Sequence, residues 1–247
     1  MSAFDELWRG GPRFMQTDES FKLSTDSVLL ADFANMKRVQ SCLDMGSGAG
    51  VLCVLLATKN INAEITGIEL QPDFAELSRL NIAENGMDNR AKILTGDLRE
   101  HKGLLKASKA DLVVSNPPYF AENSGFRAQS GHRAQARAEI TCTLSDICVA
   151  AKWALRWGGT FALVHRPERL SEIFVAMTEA GIEPKRLRMV SFSAEKAPSL
   201  ILVEGKRGGK KGLKIEAPLI LMDGNGNESL ESQRIYKRGA YAPNGEV

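Results

Sequence analysis

The sequence predicts an α/β fold built on a mostly parallel, doubly wound sheet with helices on both faces. Three observations predict it. Short apolar runs alternate with amphipathic stretches along most of the 247 residues, which is the pattern of successive βα units. A glycine loop, Asp44-Met45-Gly46-Ser47-Gly48-Ala49-Gly50, follows the first such run. About 70 residues later Asn116-Pro117-Pro118-Tyr119 follows another, Asp111 to Ser115.

The elements follow in order. Ser24-Thr25-Asp26-Ser27 is a helix-start signature leading into the apolar Val28 to Ala34, expected to close over the cofactor edge as a lid. Ser41 to Met45 is a short buried strand, and Val51 to Thr58 a helix that packs on the sheet. Ala63 to Glu69 is the second strand, followed by a helix from Asp73 to Asn85 that stops at Gly86. Ala91 to Gly96 is the third strand and Asp111 to Ser115 the fourth. A helix from Leu144 to Arg156 ends at Gly158-Gly159, and strand five is Thr160 to His165. A helix from Pro167 to Ala180 ends at Gly181, and Leu187–Ser193 with Ser199–Glu204 form an antiparallel hairpin at the sheet edge. The count is seven strands. Residues 121 to 137 and 205 to 212 read as mobile loops, and the tail after Arg238 as disordered. Three regions result: an N-terminal extension over 1–40 carrying the lid helix, a core over 41–204, and a basic loop with C-terminal extension over 205–247 packed on the core.

Composition narrows the function. No run of 18 or more apolar residues exists and residues 1–11 mix charges with Trp8, so a soluble, cytoplasmic protein is expected. Cys42, Cys53, Cys142 and Cys148 form no Cys-x-x-Cys pair and read as small buried hydrophobes. His101, His132 and His165 have no ligand spacing, so no metal is expected. The net charge is only +2, but Lys185 to Lys214 holds nine basic residues against two acidic ones, an excess of seven. Arg127, His132, Arg133 and Arg137 form a second basic cluster just after the Asn-Pro-Pro-Tyr tetrapeptide. A generic charge run is a solvated face. Here the positions beside Asn116 and in a glycine-rich loop favour phosphate contacts from Arg127, Arg133, Arg137, Lys206, Arg207, Lys210 and Lys211.

The two motifs have chemistry of their own. Gly46, Gly48 and Gly50 let the backbone approach a ligand and adopt φ values other residues resist. Their spacing departs from the dinucleotide fingerprint, whose third glycine comes one residue later, and so points away from a nicotinamide cofactor. Glu69, about 20 residues beyond the loop at the end of strand two, stands where a carboxylate grips ribose hydroxyls. Asp97, after strand three, can accept from an adenine amino group while the Leu98 N–H meets a ring nitrogen. Asn116 and Pro117 suit a planar amine, whose lone pair is delocalised and poorly nucleophilic. The Asn116 side-chain oxygen and the Pro117 carbonyl can accept its two hydrogens and free the lone pair for in-line attack on a methyl sulfonium. Consecutive prolines fix that carbonyl's direction, and Tyr119 would stack on the target base.

A loop, two strand-end acids and an Asn in this order resemble the class I S-adenosylmethionine-dependent methyltransferases, a Rossmann-like fold. With Thr25 to Leu30, Gly208-Gly209-Lys210-Lys211-Gly212-Leu213-Lys214 and Ala217-Pro218-Leu219-Ile220-Leu221 added, nearly the whole chain resembles the bacterial tRNA(Val) adenine-N6 methyltransferase family. That resemblance implies S-adenosylmethionine as cofactor and tRNA as partner, with N6-methylation of the adenosine 3′ of the anticodon, position 37. It implies that Asn116 and Pro117 hold the amine, that Tyr119 stacks, and that Asp44, Gly46, Gly48, Gly50, Glu69, Asp97, Leu98 and Asn116 line the cofactor. A protein-glutamine N5 methyltransferase uses the same tetrapeptide, but usually carries a helical domain ahead of the fold, for which 40 residues are few. A DNA adenine or ribosomal RNA guanine amino methyltransferase, or a non-catalytic RNA-binding protein, would share parts of the pattern; the last would show a degenerate Asn116 or glycine loop, and neither is seen.

Overall fold

The computed structural model describes residues 4–15, 25–118 and 142–237. A small antiparallel pair, β1 (Phe4–Glu6) and β2 (Arg13–Met15), precedes α1 (Thr25–Phe33). The βα alternation then runs β3 (Ser41–Met45), α2 (Val51–Lys59), β4 (Glu64–Glu69), α3 (Pro72–Glu84) and β5 (Ala91–Thr95). A short helix α4 (His101–Leu104) leads to β6 (Ala110–Ser115). The second half is α5 (Leu144–Ala154), β7 (Leu155–His165), α6 (Leu170–Glu179), β8 (Ile182–Ser191) and β9 (Leu200–Arg207). Two-residue strands β10 (Lys214–Ile215) and β11 (Leu219–Ile220) and the helix α7 (Leu230–Ile235) close the described chain.

The main sheet has nine strands among the described residues, in the order β10-β8-β9-β7-β6-β3-β4-β5, with β11 also on β8. Strands β3 to β7 are mutually parallel, and β9 is antiparallel to both β7 and β8. The seven expected strands are all present. The extra two arise because the chain after β9 runs back along the outer edge of β8, adding β10 and β11 in parallel. They cover an edge that would otherwise expose unpaired backbone groups.

Side chains alternate across each strand, so two hydrophobic clusters form. Cys42, Ile65, Leu112 and Val114 face α1, α2 and α3. Leu43, Met45, Ile68 and Val113 face α5 and α6. Local signals set the helix ends: Pro72 opens α3, and a capping box between Thr143 and Asp146 opens α5, with Thr143 Oγ1 accepting the Asp146 N–H at 3.2 Å and Asp146 Oδ2 accepting the Thr143 N–H at 2.9 Å.

Several expectations need correction. The helix α1, expected as a lid, is built into the core, with Ser27 to Ala31 and Phe33 buried. Lys59 Nζ donates to the carbonyls of Ala31, Asp32 and Ala34, fixing its C-terminal end. The helix α5 ends at Ala154, not Arg156, because β7 begins at Leu155 and absorbs Gly158-Gly159 at a register shift opposite β6. Gly205, Lys206 and Arg207, expected in a loop, belong to β9. A Cβ on Gly205 would come within 2.4 Å of Met177 Cε, 2.8 Å of Ile182 Cγ2 and 3.0 Å of the Glu183 carbonyl oxygen, so a side chain there would require these neighbours to shift. Residues 121 to 137 and the tail after Arg238 lie outside the described residues.

Candidate active site

The parallel strands change winding direction between β3 and β6, which lie side by side while their following connections run to opposite ends of the sheet. Ligands of open α/β sheets bind at the carboxyl ends of strands at such a switch point. The glycine loop leaves β3 there, Glu69 ends the neighbouring β4, and Asn116 directly follows the other neighbour, β6.

The loop is held by its own backbone. The N–H groups of Gly46 and Ser47 donate to the Ile68 carbonyl at 2.9 and 3.0 Å, and the Gly50 N–H to the Ser47 carbonyl at 2.8 Å. Gly46, Gly48 and Gly50 have φ of +76°, +52° and +80°, a region that disfavours side chains. A Cβ on Gly46 or Gly48 would meet nothing within 4 Å, whereas one on Gly50 would come within 2.3 Å of Ser78 Oγ. The first two glycines therefore border open space, and Gly50 serves the packing of the loop on α3.

The acids differ in environment. Glu69 is 7% exposed; its Oε2 accepts the Gly48 N–H at 2.8 Å and its Oε1 the Gln71 N–H at 2.9 Å. Asp44, expected to line the cofactor, is buried behind the loop at 0% exposure. Cys53 Sγ donates to its Oδ2 at 3.4 Å, while Oδ1 has no hydrogen-bond partner among the described residues. Burial, with the charge of Glu69 adding to it, pushes the Asp44 carboxyl up to about 7 despite the Cys53 bond. Asp97 is turned toward Arg99: its Oδ1 accepts the Arg99 backbone N–H at 2.9 Å and both oxygens take the guanidinium, which holds its carboxyl below the usual range. Leu98, at the start of the turn after Asp97, packs partly against the second hydrophobic cluster.

On the other side, Ser115 Oγ donates to the Met45 carbonyl at 2.8 Å, tying the end of β6 to the start of the glycine loop. Asn116 is half-buried and Pro117 buried. Asn116 Nδ2 donates to Ser27 Oγ of α1 at 3.0 Å. Tyr119, Arg127, Arg133 and Arg137 lie outside the described residues.

Three residues of this site escape sequence reasoning: Ser27, Ser115 and Asn81. The last is fully buried, accepts the Met15 N–H at 2.8 Å and donates to the Ala49 carbonyl at 2.9 Å, bridging β2 to the loop. Ser115 stands beside Asn116 in the motif and could have been singled out as a strand-end polar residue. Ser27 and Asn81 are distant in sequence from what they hold.

Of the expected basic residues, those of the glycine-rich stretch lie away from Asn116. In the sheet Leu112 pairs with Thr160 and Thr160 with Lys206, so Lys206 lies four residues down the strands from the level of Asn116. At about 3.3 Å per residue this is roughly 13 Å, and after Arg207 the chain turns and returns along β8. Arg207 donates to the Leu155 carbonyl and to Ser108 Oγ, tying β9 to β7 and to the turn before β6. The basic residues of the run are also partly paired, by Glu204 within it and by Glu216 and Glu231 beyond it. Arg186 pairs with Glu204 and Glu216 at 3.1 and 3.0 Å, and Arg188 with Glu231 at 2.8 Å. Lys206, Lys210 and Lys211 make no ion pair among the described residues, and Trp157, 74% exposed, lies against Gly208 in their midst.

The sequence pattern of the methyltransferase small domain matches residues 22–179. The chain belongs to this methyltransferase family. The methyltransferase is 32% identical over 195 residues to the tRNA1(Val) (adenine(37)-N6)-methyltransferase of Porphyromonas gingivalis, covering 76% of each chain. It is 29% identical over 205 residues to the protein of that name from Aliivibrio fischeri, covering 83% of this chain and 84% of that one. The likeness read from the motifs is thereby borne out. Among solved structures, a predicted O-methyltransferase from Agrobacterium tumefaciens superposes with a TM-score of 0.71 at 22% identity, covering 88% of this chain and 98% of that one. An S-adenosylmethionine-dependent O-methyltransferase from Thermotoga maritima gives 0.54 at 17% identity, covering 80% and 69%. These show the shared fold. Among the described residues no helix is long and apolar enough to cross a membrane, and no group of three or more His, Cys, Asp or Glu is placed to hold a metal.

Proposed function

We propose that this methyltransferase uses S-adenosylmethionine to methylate N6 of an adenosine in tRNA, the target being adenosine 37 of tRNA1(Val), as the names of its relatives suggest. The observation that carries the reading is the place of Asn116: it directly follows the strand next to the glycine loop, and its neighbour Ser115 is bonded to the loop's first turn.

The open space at Gly46 and Gly48 fits a cofactor that approaches backbone closely. Glu69 keeps lone pairs for ribose hydroxyls beyond the two it gives to Gly48 and Gln71. Asp97 and the Leu98 N–H would hold the adenine, Asp97 after giving up part of its contact with Arg99. Gly50 and Asp44 shape the loop from behind. Bound there, S-adenosylmethionine supplies a methyl group on a positively charged sulfur. Asn116 Oδ1 and the Pro117 carbonyl accept the two hydrogens of the target amine, pulling its nitrogen out of conjugation and aiming its lone pair at that methyl. The methylated nitrogen is then strongly acidic and releases its extra proton to water, so no strong base is required. Tyr119 would stack on the base, and Arg127, Arg133 and Arg137 would meet nearby phosphates. Lys206, Lys210 and Lys211, with exposed Trp157, would meet a more distant part of the same RNA, and Arg207 is withdrawn from that set. Acting on tRNA, the protein would work in the cytoplasm.

The test is methyl transfer in vitro. Purified protein with labelled S-adenosylmethionine should label an unmodified tRNA1(Val) transcript and fail on the same transcript carrying guanosine at position 37. Label on a release-factor glutamine peptide or on ribosomal RNA, with none on the tRNA, would refute the substrate assignment.

A further inference from the structure

We infer that Ser27 is a positioning residue for methyl transfer: it holds the Asn116 side-chain amide in the orientation that presents the oxygen to the incoming amine. The inference rests on the reading of Asn116 as the amine's acceptor. A carboxamide carries two N–H donors on one side and an oxygen on the other, and the two ends have nearly the same shape. Only the oxygen can accept a hydrogen from a target amine. An amide free to rotate would present its own N–H donors to that amine for part of the time, donor against donor.

The structure places Ser27 at the nitrogen end. Asn116 Nδ2 donates to Ser27 Oγ at 3.0 Å. Ser27 is 7% exposed, so water has little room to replace it. Its position is set by the core rather than by a surface loop: Val28, Leu29, Leu30 and Ala31, which follow it in α1, are all buried, and Lys59 anchors the far end of the helix. From the other side, Ser115 fixes the end of β6 against the Met45 carbonyl. The amide is thus held between a rigid helix and a rigid strand. This gives α1 a part in catalysis that neither a lid nor a packing helix would have.

Three variants test the inference: Ser27→Ala, Asn116→Ala and the double variant. Single-turnover methyl transfer to the tRNA1(Val) transcript should slow about tenfold in Ser27→Ala, as expected for loss of orientation rather than of the group itself. Affinity for S-adenosylhomocysteine and melting temperature should stay near wild type, and Ser27→Thr, which keeps the hydroxyl, should recover most of the rate. Because Ser27 acts through Asn116, the double variant should be no slower than Asn116→Ala alone. Wild-type rate in Ser27→Ala, or losses that multiply in the double variant, would overturn the inference. A second readout is independent of the substrate. In ¹⁵N-labelled protein the Asn116 side-chain amide, assigned by its disappearance in Asn116→Ala, should exchange slowly with solvent and lose that protection in Ser27→Ala. Equal exchange in both proteins would also overturn it, whereas wild-type protein that fails to methylate the tRNA while the amide is protected would contradict only the substrate reading.

Discussion

Glu69 Oε2 accepts the backbone N–H of Gly48 at 2.8 Å, so the acid at the end of β4 is built into the glycine loop across from it. Its other oxygen holds the Gln71 N–H at the entry to α3. One carboxylate therefore shapes the loop and, in the proposed reading, also meets the cofactor's ribose. Glu69→Ala should weaken S-adenosylhomocysteine at least tenfold in calorimetry, since bonds to a charged group contribute about 1.5–3 kcal/mol each. It should also lower the melting temperature, because two backbone donors lose their partner. Unchanged affinity would remove Glu69 from the cofactor site.

Asn116→Ala should lower turnover 10²-fold or more, on the scale of losing one oriented group in the transition state. Cofactor affinity should hardly change, because the proposed contact is with the amine. Steady-state kinetics alongside calorimetry separates the two. Turnover near wild type would end the role assigned to Asn116.

Asp44 predicts a pH-dependent stability. Its carboxyl is raised from 3.8 to about 7 by burial, so the fold favours the protonated acid. The stability this contributes is complete below the unfolded value near 3.8 and is lost as pH rises through about 7. A shift of this size is on the order of 4 kcal/mol at 1.36 kcal/mol per unit. Asn cannot ionise, so Asp44→Asn should gain stability relative to wild type between pH 5 and pH 8. Chemical denaturation at both pH values checks this; a difference between the two proteins that is independent of pH would contradict it.

The basic end of the sheet divides into residues with different expected effects. Replacing Lys210 and Lys211 by Ala should weaken tRNA binding and flatten its salt dependence by nearly one unit of slope per lost phosphate contact. Arg207→Ala should instead lower stability, because its bonds to the Leu155 carbonyl and Ser108 tie β9 to β7 and to the turn before β6. Fluorescence anisotropy across a salt series, with a melting curve for each variant, distinguishes them. An unchanged slope in the double lysine variant would leave that loop as a solvated surface.

Much of the fold was legible because its signals are local. Gly46 and Gly48 announce a left-handed loop, Ser24 to Ser27 a helix start, and alternating apolar runs the parallel strands. The hairpin of β8 and β9 was also visible, although both strands extend beyond the expected limits. What escaped depends on distant pairing. The start of β7 at Leu155 follows from backbone bonds to β6, which override the helix propensity of residues 155 and 156. The charge of Arg186 and Arg188 is offset by Glu216 and Glu231, which lie past the end of the basic run and come near only because β10 and β11 return along β8. Ser27 reaches Asn116 across 89 residues of sequence, a distance no local motif encodes.

The most direct test of the central claim is mass spectrometry of nucleosides from purified tRNA1(Val), with the gene intact, deleted and restored. The account predicts N6-methyladenosine that disappears on deletion, returns with the wild-type gene and fails to return with Asn116→Ala. An unchanged level of N6-methyladenosine after deletion would contradict it.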